Sequence, residues 1–211
     1  MVFVAPIYDC KLCDRLCKFR EDNKTKFPSY YNGPVPSFGD LDAQVLVVGL
    51  APGLNGANQT GRPFTNDYAG DILYPVLKSQ GFAKGDYQKR KDDGFELVNV
   101  RVTNAVRCVP PQNKPTTEEE KICRSFLINE IKEMKNLKVI LSLGTISHKN
   151  VLYALGIKQS DVKFGHGNVH DLGNGIKLID SYHTSRYNIN TGVLSYQMFE
   201  DVVKKIKELV I

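Results

Sequence analysis

Residues 44–71 read QVLVVGLAPGLNGANQTGRPFTNDYAGD, and the rest of the chain divides around them. Gln44 to Leu50 is short, apolar and rich in β-branched residues, and Gly49, Pro52 and Gly53 stop it. Such a run is expected to form a buried parallel strand that ends in a tight turn. The loop that follows is long and rich in Gly, Asn, Thr and Asp. Strand-to-helix connections normally span about 2–6 residues, and longer ordered loops are usually functional. A site is therefore expected here, at the carboxyl end of a parallel strand, where open α/β sheets bind ligands. By loop statistics alone, a surface loop without chemistry is an equally good reading.

Working outward, three more apolar runs read as strands: Leu97 to Thr103, Leu137 to Leu143 and Ile176 to Tyr182. Helical spacing is expected over Tyr68 to Gln80, from about Thr145 to Leu155, and over Leu194 to Val210. Thr116 or Thr117 with Glu119 or Glu120 forms a capping box at the start of a further helix. Residues 27–42 and Val109 to Pro115 are too rich in proline for helix, and the charged residues 83–94 read as a solvated loop. Strands alternating with helices predict a three-layer α/β/α sandwich around a four-stranded, mostly parallel sheet.

The chain has 211 residues, enough for one domain with a full core, and residues 1–211 are read as a single domain with an N-terminal segment over about 1–42. An apolar fraction of 42%, a charged fraction of 24% and a net charge of +5 are ordinary for a globular protein, with a slight lean toward phosphate-bearing partners. Met1 to Ile7 is too short for a signal-peptide core, and no run approaches a membrane span, so a cytoplasmic protein is expected. In that compartment five cysteines argue for metal, cluster or redox chemistry over a disulfide framework.

Cys10 and Cys13 form a Cys-x2-Cys step that can offer two thiolates to one metal, and Cys108 and Cys123 form a second, wider pair. An iron–sulfur cluster, a zinc site and simple buried cysteines all remain open from this spacing, and Cys17 is left over as structural. Gly56 to Gly61 has the spacing of a phosphate-binding loop, but Arg62-Pro63 stands where Lys and Ser or Thr are required. Phe64 offers a flat face for stacking or simply a core ring, and Asp67 offers a site carboxylate or a helix N-cap. Asn104 and His183 follow strand ends, so the topology would bring the loop from Gly49 to Asp67 together with both of them at one sheet edge.

GLAPGLNGANQTGRPFTND, NAVRC-VPPQNKPT and YHTSRYNINTG, with cysteines at 10, 13, 108 and 123, closely resemble the family 5, B-type uracil-DNA glycosylases of thermophilic bacteria and archaea. The resemblance covers nearly the whole chain. It implies the α/β/α glycosylase fold, removal of uracil from DNA without strand cleavage, and a 4Fe–4S cluster held by those four cysteines. The cluster would tie the N-terminal segment to the domain. By the same resemblance, Gly49, Leu50, Ala51, Pro52 and Gly53 form the first motif, and Ala51 stands where other uracil glycosylases carry a polar catalytic residue. Phe64 matches the phenylalanine that stacks on uracil, Asp67 the carboxylate that orients water, Asn113 a further site residue, and His183 the histidine facing a uracil carbonyl. Asn104 looks more like the family 4 pattern. Ser185 and Arg186 lie in a His-Thr-Ser-Arg sequence that departs from the His-Pro-Ser-Pro of better-known families, and they are read as substrate-binding.

The partner implied is uracil-containing DNA, double- or single-stranded, met by a monomer. A glycosylase must turn its base out of the stack, grip it and read its edge, and Phe64 and Asn104 suit those tasks. A non-catalytic iron–sulfur electron-transfer protein and a DNA-binding module without a pocket are the alternatives from other classes.

Overall fold

The computed structural model describes residues 4–210; residues 1–3 and 211, which belong to the expected 1–211 domain and to the Met1–Ile7 stretch, lie outside the described residues. In chain order the elements are α1 (Asp14–Lys26), β1 (Val45–Gly49), α2 (Ala57–Thr60), α3 (Tyr68–Ser79), β2 (Ala83–Lys84), β3 (Glu96–Leu97), β4 (Val100–Asn104), α4 (Thr117–Glu133), β5 (Val139–Leu143), α5 (Thr145–Ala154), β6 (Val169–Asp171), β7 (Lys177–Ser181), α6 (Arg186–Asn190) and α7 (Tyr196–Val210).

The main sheet runs β4-β1-β5-β7-β6. Its first four strands are parallel, and β1, β4 and β5 are wholly buried, β1 as its apolar run requires and β4 even at Arg101, Thr103 and Asn104. Alternation along each strand divides the core between two faces. Val45, Val47, Leu141 and Ile179 pack under Leu73, Leu77, Phe199 and Val203 of α3 and α7. Leu46, Val48, Ile140 and Leu178 pack under Leu127, Ile131, Val151 and Leu152 of α4 and α5. The result is the expected α/β/α sandwich, with the first strand between β4 and β5. From β1 the chain moves out to β4 on one side and returns to β5 on the other, so the carboxyl end of β1 is the switch point of the sheet.

The sheet has five strands rather than the expected four. The additional one, β6, is three residues long and pairs antiparallel with β7 at the edge. Its sequence, Val-His-Asp, has no local strand signal, and pairing with β7 creates it. The second expected strand begins at Val100 because Asn99 takes a left-handed φ of 59°. Leu97 belongs instead to a ribbon with Ala83. Residues 83–94 are thus not simply solvated, since Tyr87 and Asp93 turn inward. The N-terminal helix α1 was not legible as such, being mostly polar; it buries only Leu16, Arg20 and Asn23.

Caps set the other boundaries. The Thr116 hydroxyl accepts from the Glu119 amide and the Glu119 side chain accepts from the Thr116 amide, completing the capping box at α4. Asp67 caps α3 by accepting from the Gly70 amide at 3.1 Å. Among the described residues no helix is long and apolar enough to cross a membrane.

Candidate active site

A cavity of about 350 Å³ opens at the carboxyl end of the sheet, within the size range of ligand pockets. Leu50, Ala51, Pro52 and Gly53 form one wall as the chain leaves β1, with Phe64 and Asp67 from the long loop beside them. Asn104 from the end of β4, Asn113, and His183 beyond β7 complete it, with Ser185 and Arg186 at the start of α6. Every expected site residue lines this cavity except Gly49 and the cysteines.

Gly49 has a different part. It is paired in register with Asn104, and a Cβ there would stand 2.4 Å from Phe64 Cζ and 2.5 Å from Asn104 Oδ1. It lies beneath the floor, and its missing side chain lets ring and amide sit together. Gly56 serves Asp67 in the same way, since a Cβ there would meet Asp67 Oδ2 at 2.7 Å.

Asp67 is both a helix cap and the one acidic side chain on the lining. Burial pushes its carboxyl up to about 6, the charge of Asp71 adds to the rise, and the amides of Gly70 and Ala69 hold it back. Asp71 is ion-paired with Lys89 at 2.8 Å and is not among the lining residues. Burial pushes His183 down to about 4, so at neutral pH its imidazole is uncharged and carries one N–H. Its ring lies 6.2 Å from that of Phe64 and 28° from parallel. Asn113 is exposed at the rim and takes a left-handed φ of 56°, next to Gln112 at 55°. Ser185 is committed to capping α6 through the Asn188 amide, and Arg186 extends over the Tyr68 ring with 5.2 Å to its centroid.

Ala57, Tyr68 and Ala69 also line the cavity and were not singled out from the sequence. The helix that Tyr68 and Ala69 begin was legible, whereas the short helix α2 that starts at Ala57 lay within the expected loop, and which faces turn toward the cavity was not legible.

The cysteines gather elsewhere. Cys10, Cys13, Cys108 and Cys123 line a second, small void together with Cys17. Cys13, Cys108 and Cys123 pack in one apolar cluster with Ala51, which joins this region to the wall of the larger cavity. Burial pushes the Cys13 and Cys108 thiols up to about 12 and raises that of Cys123, and the neighbouring sulfurs add to each rise. One buried guanidinium, that of Arg20, faces them, while that of Arg107 is ion-paired with Glu130 at 2.6 Å. Arg20 donates to Cys108 Sγ at 3.4 Å and to the Cys10 carbonyl at 2.7 Å, and the Arg107 amide donates to Cys123 Sγ at 3.3 Å. The Nε atoms of Arg20 and Arg107 are buried without partners. Among the described residues no three His, Cys, Asp or Glu side chains are gathered as a single ion requires.

A parallel sheet with an aromatic ring, an amide, a carboxylate and a neutral imidazole on one switch-point cavity defines an α/β protein built to grip a planar polar ligand. The sequence profile of the Uracil DNA glycosylase superfamily matches residues 36–207, and the chain belongs to that superfamily. It is 41% identical over 212 residues to the type-5 uracil-DNA glycosylase of Thermus thermophilus, covering 98% of this chain and 96% of that one. It is 37% identical to the type-5 uracil-DNA glycosylase of Pyrobaculum aerophilum, covering 96% of this chain and 90% of the other. A type-4 uracil-DNA glycosylase of the same organism is 32% identical over 76% of each chain.

Proposed function

We propose that this protein is a monofunctional uracil-DNA glycosylase: it turns uracil out of DNA and hydrolyses the N-glycosidic bond, initiating base excision repair. The observation that carries this reading is the meeting of Phe64, Asn104, Asp67 and His183 on one cavity, in a chain whose type-5 relative is 41% identical over nearly its full length.

In this reading the flipped base stacks on Phe64 while the Asn104 amide meets its pairing edge. As the bond from the sugar to uracil N1 breaks, both electrons leave with the base and the sugar gains oxocarbenium character. The His183 N–H donates to the uracil oxygen where negative charge develops. The Asp67 carboxylate stabilises the sugar cation, orients the water whose oxygen bonds to the anomeric carbon and accepts the proton that water loses. Ala51 has no group able to act on water, so this work falls to Asp67. Leu50, Pro52 and Gly53 shape the wall, Asn113 contributes from the rim, and Ser185 and Arg186 meet the DNA beside the flipped base.

Cys10, Cys13, Cys108 and Cys123 are the residues that would hold a 4Fe–4S cluster. What supports this is the donor set and its charge: four crowded thiols with the buried Arg20 guanidinium donating to one of them suit an anionic iron–thiolate group better than four neutral side chains. When bound, the cluster supplies a cross-link between the N-terminal segment and the α4 region. Glycosidic hydrolysis needs no redox step. The partner is uracil-containing DNA, bound by a monomer acting in the cytoplasm.

The test is incubation with a duplex carrying one uracil, followed by alkali. Cleavage at the uracil after alkali, and none before it, is the expected outcome; an intact strand after alkali would leave a DNA-binding or electron-transfer protein.

A further inference from the structure

Phe64, the ring that receives the base, has a backbone φ of 54°, and Asn66 two residues later has 64°. An aromatic residue in the left-handed region persists only where its surroundings over-determine it. The surroundings come from the segment between β2 and β3. Tyr87 projects its hydroxyl into the loop, where it donates to the Phe64 carbonyl at 3.2 Å and accepts from the Asn66 amide at 3.2 Å. One hydroxyl thus ties the two left-handed residues together. On the other side Gly70 abuts the same carbonyl so closely that a Cβ there would overlap it and stand 2.8 Å from the Tyr87 hydroxyl oxygen.

The segment that carries Tyr87 is itself anchored. Arg62, 4% exposed, makes a two-pronged pair with Asp93 at 2.8 Å on both prongs, and its Nε donates to Thr65 Oγ1 at 2.7 Å. Its guanidinium lies among the rings of Phe38, Tyr74, Tyr87 and Phe95, 5.0–5.9 Å from their centroids. Asp93 also accepts from the Gln88 and Phe95 amides. The assembly of Arg62, Asp93 and Tyr87 lies outside the cavity lining. What it does is set the backbone on either side of Phe64.

We propose that Tyr87 is a positioning residue for base excision, acting through Phe64: its hydroxyl holds the stacking ring in the left-handed conformation that aims it into the cavity. The proposal rests on the glycosylase reading above. Without the hydroxyl, Phe64 relaxes toward ordinary backbone angles and the base is no longer held flat against it. DNA affinity outside the base pocket is untouched.

The experiment is a double-variant cycle on single-turnover excision of uracil from duplex DNA, using wild type, Tyr87→Phe, Phe64→Ala and the double variant. Rates are referred to the fraction of enzyme that binds an abasic duplex, so unfolded protein does not enter. Tyr87→Phe keeps the ring packing, and its excision rate should fall roughly tenfold, the scale of one buried hydrogen bond, with abasic-duplex affinity unchanged. In the Phe64→Ala background the same change should have no further effect. Wild-type excision by Tyr87→Phe, or equal losses in both backgrounds, would overturn the positioning role while leaving the glycosylase intact. No excision by the wild type would overturn both.

Discussion

The rings of Phe64 and His183 lie with centroids 6.2 Å apart and planes within 28° of parallel, although 119 residues separate them in the chain. A base stacked on Phe64 therefore has its plane near that of the imidazole. An N–H donor lies in the plane of its own ring, so His183 can reach an in-plane carbonyl oxygen of a base held by Phe64. Stacking and leaving-group stabilisation depend on one arrangement.

His183→Ala removes the donor to the departing uracil. Excision of uracil should slow by about 10²–10³-fold. Bases that leave more readily should slow less, because their anions need less stabilisation. Single-turnover rates on a uracil substrate and on one with a better leaving base provide the comparison; equal losses on both would remove His183 from that role.

Asp67→Asn keeps the cap's shape and removes its charge. Single-turnover excision should drop by about 10²–10⁴-fold with DNA affinity little changed. Because burial lifts the wild-type carboxyl to about 6, kcat/KM should rise with pH through that value as Asp67 ionises, and the variant should lack this limb. Stability responds in two opposing ways. The folded protein binds more protons than the unfolded chain at raised Asp67, so its share of stability falls as pH climbs from about 4 to 6. The unfolded chain binds more at depressed His183, so that share rises between about 4 and 6.5.

Serine at Cys10, Cys13, Cys108 or Cys123 should each cost iron and thermal stability, whereas Cys17→Ser should cost neither. The Cys17 thiol hydrogen-bonds the Cys10 carbonyl at 3.2 Å, a local contact that serine can reproduce. Protein purified without oxygen should be brown. Elemental analysis that finds zinc in place of iron would end the cluster assignment.

Tyr187, 73% exposed, follows the cavity-lining Arg186 in α6, and the two are the side chains expected to fill the space left by a flipped base. An Arg186→Ala, Tyr187→Ala double variant should bind an abasic duplex more weakly. Its binding should also depend less steeply on salt, because one phosphate-directed cation is gone. Wild-type excision kinetics in this variant would move the wedge to another side chain.

The sequence alone was enough for the features that depend on a few neighbouring residues. The apolar run before Gly49 made a buried parallel strand, Asp67 and the Thr116–Glu119 pair capped helices, and the long loop was marked by its length. That the loop from Gly49 to Asp67 would meet Asn104 and His183 at one sheet edge followed from their places at strand ends, whereas the order of the strands needed the fold. So did the edge strand β6, whose three residues become a strand only by pairing with β7. Tyr87 and Asp93 sit in a segment whose charges read as solvated, because a local pattern does not reveal that Arg62, more than 20 residues earlier, lies buried and needs a counter-charge. Gly49 likewise stood in the first motif, but only tertiary contact assigned it to the floor beneath the ring and the amide. Caps and strand runs are settled by hydrogen bonds and burial preferences within one or two turns of chain, whereas a cavity is settled by which distant side chains compete for the same space.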